Sequence, residues 1–358
     1  MKDECIKIDG GMGEGGGQVL RSALALSMAT GQPFRMFRIR ANRPKPGLKR
    51  QHLTCVKAAQ AVCRAEVRGD AVNSTELDFY PGAVQPGEYA FQVGTGGSVA
   101  LVLQAVVPPL LFAGGPSRLT VSGGTHVPWA PPFEFMRDTL FPRLSALGPQ
   151  LRAHMDRVGY MDIGGGSVTA EIIPAGPTEQ AEPGSFALEE GGSFSGATAF
   201  IYAHGLPEGV VEREAAVLAS RPYAALGLNE GNIEISQAGA PDSPEAGSGN
   251  MVLVKVCQGG FKTVFGECGW RGRSAEVVAR QACKRALCFL RSGAPVEAHL
   301  ADQLLVPLAL AGGGTFVTER VTKHTQTCLD VIRLFTNAKT DVAPHEAGTR
   351  LTIYQKGC

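Results

Sequence analysis

The chain has 358 residues, 44% hydrophobic and 19% charged, with a net charge of +1. It is too long for one simple domain and has the composition of an ordinary soluble globular protein. No apolar run reaches the roughly 18 residues of a spanning helix, and the opening MKDECIKIDG is neither a signal nor a transit peptide. The nine cysteines are scattered without a CxxC, which speaks against a zinc site or a disulfide framework and for a reduced, cytoplasmic setting.

The first element is a glycine-rich turn with a lone carboxylate, Glu14, leading into a helix in GGMGEGGGQVLRSALAL. Between Arg35 and Lys57 there follow eight Lys or Arg residues and no acid. Glycine turns at helix starts and clustered arginines both hold phosphate oxygens. The block is therefore expected to bind anions, phosphate first. A merely solvated basic face would explain the charges, but not the glycines or the confined Pro-Lys-Pro-Gly beside them.

Three segments share one plan of apolar helix, glycine stop, short strand, polar motif and second helix. They begin at QVLRSALALSMATG, SVALVLQAVVPPLLFAGG and LADQLLVPLALAGGG, and their strands are PFRMFRIR, SRLTVS and TFVTERV. Such repetition predicts a core of α/β modules around a shared centre. Arg43, His126 and His324 stand at the three strand-to-helix turns, so each repeat could supply one polar group to a central site. From Glu171 to Asn250 twelve acids face only Arg213 and Arg221, and alternating strands surround short helices up to about Leu290. The expected architecture is α/β (α+β): a large domain of residues 1–185 and 294–358, built of three βαβαββ-like units, and an inserted smaller α/β domain of residues 186–293. The stretch QAGAPDSPEAGSGN reads as a mobile connection.

Several residues could carry chemistry. Gln18 and Arg21 share a helix face, and Glu14 either binds a divalent cation or answers the helix dipole. Arg38 and Arg40 alternate on one strand face, and their guanidinium groups, with Arg43, suit a phosphate monoester. Gln51 and His52 begin the next helix, where free N–H groups favour anions. His324, in TKHTQT at a helix entrance, is the strongest nucleophile, with Cys328 as rival. Asp302 and Gln303 either contact a nucleotide or serve as ordinary first-turn residues. No aromatic RNA-binding platform and no KH-type GXXG clamp is legible.

The runs GEGGGQVLRSALALS, RIRANRPKPGLKRQH, GGTHVPWAPPFEF, HLADQ and KHTQT, in register over essentially the whole chain, closely resemble the RNA 3'-terminal phosphate cyclases. The resemblance implies an ATP-dependent ligase-like reaction turning an RNA 3'-phosphate into a 2',3'-cyclic phosphodiester through a histidine–AMP intermediate and an adenylated RNA end. It implies that His324 is adenylated and that Glu14 ligates Mg²⁺ or Mn²⁺. Arg21, Arg40, Arg43, Gln51 and His52 would hold the RNA phosphate, and Gln104, Pro131, Asp302 and Gln303 would line the ATP pocket. His299 stands where similar members often have an adenine-stacking Tyr. The expected partners are RNA 3'-phosphate ends, without membrane; the sequence leaves open whether the chain is a homodimer. A relative that keeps the fold and only binds RNA, as in ribosome assembly, would be expected to lose His324 and the arginines, and a carboxyvinyl transferase would leave KHTQT unexplained.

Overall fold

A computed structural model describes residues 5–176, 179, 181–236 and 247–355. Most of the connection expected to be mobile, residues 237–246, lies outside them. The first repeat runs β1 (Ile6–Asp9), α1 (Gly17–Thr30), β2 (Phe34–Phe37), α2 (Arg50–Cys63), β3 (Glu66–Arg68) and β4 (Leu77–Tyr80). The second comprises β5 (Glu88–Gln92), α3 (Val99–Leu110), β6 (Ser117–Gly123), a π-helical turn (Phe135–Leu140) running into α4 (Phe141–Leu144), β7 (Gln150–Arg157) and β8 (Gly166–Ile173). The third opens with β9 (Ala187–Leu188). An insertion follows: β10 (Phe194–His204), α5 (Val210–Leu218), β11 (Ile233–Ser236), β12 (Gly249–Gln258), β13 (Phe261–Cys268) and α6 (Ala275–Ser292). The chain then closes the third repeat with α7 (Ala298–Leu310), β14 (Gly313–Thr318), α8 (Lys323–Phe335), β15 (Ala338–His345) and β16 (Gly348–Gln355).

The three repeat sheets have one topology. Their orders are β1-β2-β4-β3, β5-β6-β8-β7 and β9-β14-β16-β15. In each, the first two strands are parallel and the rest antiparallel. The parallel pair forces a crossover, and the apolar helices α1, α3 and α7 provide it. These three pack against one another at the centre, with α2 lodged against α1 and α3, and α8 against α7 and α1. Each is buried over nearly its whole length, so no solvent face interrupts the apolar run. Gly31 ends α1 at φ 72°, a left-handed cap that returns its N–H to Ser27.

The insertion forms its own sheet, β11-β10-β12-β13, and buries a separate apolar cluster with α5 and α6. Ala187 and Leu188 pair with Thr315 and Phe316, which moves these residues from the insertion expected to begin at 186 into the large domain's third sheet. Two other expectations are corrected. The strand PFRMFRIR stops at Phe37, because Arg38 and Arg40 take left-handed φ of 54° and 56° around the buried Ile39, so they do not alternate on a strand face. In GGTHVPWAPPFEF the expected helix begins only near Phe133, since Pro128, Pro131 and Pro132 supply no backbone N–H.

Candidate active site

The start of α1 is where the glycine turn meets the basic block. A Cβ on Gly17 would lie 2.6 Å from His52 Nε2 and 2.9 Å from Arg21 Nη1, and one on Gly16 would lie 3.0 Å from Arg43 Nη2. The glycines thus let three nitrogen-bearing side chains close on a helix N-terminus, whose free N–H groups already favour an anion. His52 Nδ1 accepts from the Lys49 N–H at 3.1 Å, which leaves the proton on Nε2, the nitrogen facing α1. Burial, with Arg21, Arg40 and Lys49 adding to it, drops the His52 pKa to about 3. His52 is a neutral hydrogen-bond donor at any ordinary pH.

Arg21 is buried and donates from Nη2 to Gln18 Oε1 at 2.9 Å, and its Nε has no partner among the described residues. Arg43 is half exposed and reaches Glu14 Oε2 at 3.4 Å. Arg40 is employed differently. Its Nη1 donates to the carbonyls of Lys45 (2.8 Å) and Gly47 (3.0 Å), bracing the Pro-Lys-Pro-Gly loop. Gln51 accepts the Ser98 N–H at 2.8 Å, tying α2 to the start of α3.

Glu14 joins this cluster to the third repeat, because the same Oε2 lies 3.2 Å from His324 Nε2. His324 occupies the first turn of α8, whose N-cap Thr322 exchanges bonds with Thr325. Burial lowers its pKa, and Arg21 nearby works in the same direction against Glu14. A neutral imidazole keeps a lone pair for attack. Cys328, the rival, is fully buried and its thiol is pushed up to about 12 by that burial, so it is not a nucleophile near neutral pH.

His324 also lines a cavity of about 420 Å³ between the large domain and the insertion, a volume suited to one small ligand. Arg21, Gln104, Pro131, His299, Asp302 and Gln303 share its wall. The cavity therefore gathers seven expected residues, whereas Glu14, Arg40, Arg43, Gln51 and His52 stand outside its lining, around the α1 entrance. Gln104 Nε2 is buried without a partner among the described residues, a donor left for a ligand. Burial pushes the Asp302 carboxyl up to about 7, and Gln303 Nε2 donates to it at 3.0 Å. His299 Nδ1 sits 3.1 Å from Glu297 Oε2, and this bond raises its pKa. Glu297 in turn caps α7 through the N–H groups of His299 and Leu300.

His126 does not join the site. It is buried, with Nδ1 2.9 Å from Thr125 Oγ1 and Nε2 3.0 Å from Glu134. Missed altogether was the wall given by the insertion, including Gly266, Glu267 and Trp270. Their local sequence carries no motif, and only the chain fold brings them to α7. Among the described residues no three His, Cys, Asp or Glu side chains converge as a metal site, and Glu14 offers one hard oxygen beside the anion-binding helix start.

A family model described as RNA 3'-terminal phosphate cyclase matches residues 12–342. A protein of that name from Koribacter versatilis (strain Ellin345) is 42% identical over 348 residues, 97% of this chain and 94% of its own. Another from Ectopseudomonas mendocina (strain ymp) is 41% identical over 344 residues, 95% of each chain. A solved enolpyruvyl transferase, NikO from Streptomyces tendae, aligns over 49% of this chain and 32% of its own at 18% identity and a TM-score of 0.28, too slight a likeness to define fold or function. Matched by the family model from residue 12 to 342 and more than 40% identical to two cyclases along nearly its whole length, this chain belongs to the RNA 3'-terminal phosphate cyclase family.

Proposed function

We propose that this enzyme converts an RNA 3'-terminal phosphate into a 2',3'-cyclic phosphodiester using ATP. The observation that carries the reading is the placement of His324. It stands at the start of α8, its pKa lowered by burial, with the cavity on one side and the Glu14–Arg43 cluster on the other. His324 attacks the α-phosphorus of a nucleotide lodged in the cavity, a P–N bond forms, and pyrophosphate leaves. An oxygen of the RNA 3'-phosphate then displaces His324 and takes the AMP. Attack by the adjacent 2'-OH on the terminal phosphorus closes the ring and expels AMP. Direct closure would have to expel an oxide-like group, so adenylation splits one hard step into easier ones.

Each side chain has a task in this scheme. Gln104, Asp302 and Gln303 orient the nucleotide between Pro131 and His299. Arg21, Arg43 and the His52 Nε2–H bind the acceptor phosphate at the α1 entrance with Gln51 behind them, and Arg40 keeps the loop that carries Arg43 in shape. Donors already in place where charge accumulates need no rearrangement during reaction. Glu14 would hold Mg²⁺ or Mn²⁺ together with phosphate oxygens, and the cation would neutralise charge on them. No helix among the described residues is long and apolar enough to cross a membrane.

Incubation with α-labelled ATP tests the reading. Label should remain on the denatured protein, resist alkali and be released by brief acid, as a phosphoramidate is. His324→Ala should lose the label and the cyclisation while staying folded. Label persisting in that variant, or mapping to Lys323 or Cys328, would overturn it.

A further inference from the structure

Beside the large cavity lies a second, smaller one of about 190 Å³, between α6 of the insertion and the loop that leaves β14. Arg285, Glu297 and His299 line both, so they form the wall between them. Lys284 of α6 and Glu319 and Arg320 of the loop complete the charged lining of the smaller cavity. Ligand pockets of drug size begin at roughly 300 Å³, so this one has room for a small ion and not for a nucleotide.

The charges in it are unevenly employed. Both carboxylates are taken up by backbone at the start of α7. Glu297, 2% exposed, accepts the N–H groups of Leu300 at 2.7 Å and His299 at 2.9 Å, and Glu319 Oε1 accepts that of Ala298 at 3.1 Å. Arg285 is engaged within the insertion, its Nη1 donating to the Gly266 carbonyl at 3.1 Å and to Glu267 Oε1 at 3.2 Å. Lys284 and Arg320 make no ion pair and no side-chain hydrogen bond among the described residues. On an open face two such cations would simply be solvated. Here one comes from the insertion and the other from the third repeat, and they meet in one concavity. Clefts lined by one sign of charge concentrate counter-ions. A guanidinium forks onto two oxygens of an oxyanion, and an ammonium can hold another.

We propose that this cavity seats a free oxyanion of the phosphate class, inorganic phosphate or pyrophosphate, between Lys284 and Arg320. The seat is apart from His324, which does not line it, and it does not depend on the reaction proposed above. An anion there joins α6 to the loop after β14, and so the insertion to the large domain, against the wall shared with the larger cavity. The phosphodiesters of an RNA strand would offer the same oxygens, and the test separates the two sources.

Cys288 gives the seat its own reporter, since this thiol is exposed and lines the smaller cavity but not the larger. In the full chain, inorganic phosphate should slow alkylation of Cys288 by neutral iodoacetamide severalfold, read by peptide mass spectrometry. Sodium chloride at equal ionic strength should not. Lys284→Gln combined with Arg320→Gln should abolish the protection and leave self-adenylation in phosphate-free buffer unchanged, and Lys284→Arg should keep the protection. Equal protection by chloride, or protection that survives the double variant, would overturn the seat. Protection by an oligoribonucleotide without a terminal phosphate, and not by free phosphate, would also overturn it by assigning the cavity to the RNA chain. Protection of Cys288 with no AMP on His324 would sink the cyclase reading and leave the seat standing, and adenylation without protection would do the reverse.

Discussion

Two histidines follow the central strands of the second and third repeats, and the fold gives them opposite fates. His126 leaves β6 into a loop whose prolines delay the next helix. Its side chain is 0% exposed and both ring nitrogens are occupied. His324 enters α8 directly, is 37% exposed and faces Glu14 and a cavity. The unit is the same and the residue type is the same. What differs is whether a helix starts at that turn, because a helix start presents its first residues and its N–H groups to a ligand, while a loop folds its histidine into the domain joint.

The sharpest way to break that comparison is to delete each ring. His324→Ala should remove adenylation altogether and leave denaturant stability nearly unchanged. His126→Ala should remove one hydrogen-bond partner from the buried Glu134 and cost about 1–3 kcal/mol, seen as a lower urea midpoint, with label per folded molecule retained. Loss of labelling in a well-folded His126→Ala would make the two histidines functionally alike.

A second contrast lies within the arginines. Arg43→Ala should impair RNA cyclisation far more than self-adenylation, by about 1.5–3 kcal/mol for a charge-assisted bond, with Lys rescuing only in part. Arg40→Ala should in addition speed amide hydrogen exchange in the 45–47 loop, because two loop carbonyls lose their donor. Full RNA activity in Arg43→Ala would remove it from the acceptor site.

Glu14 carries a smaller effect. Glu14→Gln should slow adenylation, with extra Mg²⁺ restoring part of the rate. Since Glu14 raises the His324 pKa, the variant's acid limb should move to lower pH. A variant that adenylates normally and loses only about 0.3–1 kcal/mol of stability would return Glu14 to a helix-dipole role.

The subtlest expectation concerns Asp302, whose carboxyl goes from 3.8 to about 7 on burial. The folded chain binds this proton more tightly than the unfolded chain, so its ionisation opposes folding. The penalty is absent below the unfolded value, grows as pH rises from 3.8 to about 7, and is complete above that. Asp302→Asn should therefore gain stability over the parent progressively across that window and hold a constant lead above it. Urea midpoints with no such pH trend would contradict the buried, proton-holding state of this carboxyl.

Local pattern alone was enough for the three repeats, because apolar spacing, a glycine stop and a short strand recur, and these report burial and chain reversal wherever they occur. It was also enough to single out the glycine turn and the basic block, which the fold brings together at the start of α1. Pattern could not tell that Arg38 and Arg40 turn left-handed around Ile39, that His126 is sealed by Glu134, or that Lys284 meets Arg320 in one cavity across a domain boundary. Each of those depends on a neighbour remote in sequence or on a backbone angle that tertiary packing enforces. The sequence by itself determined the repeated modules and the residue types brought to their turns. Only the tertiary structure decided which turns face one cavity, because facing is a property of how three helices pack and not of any one of them.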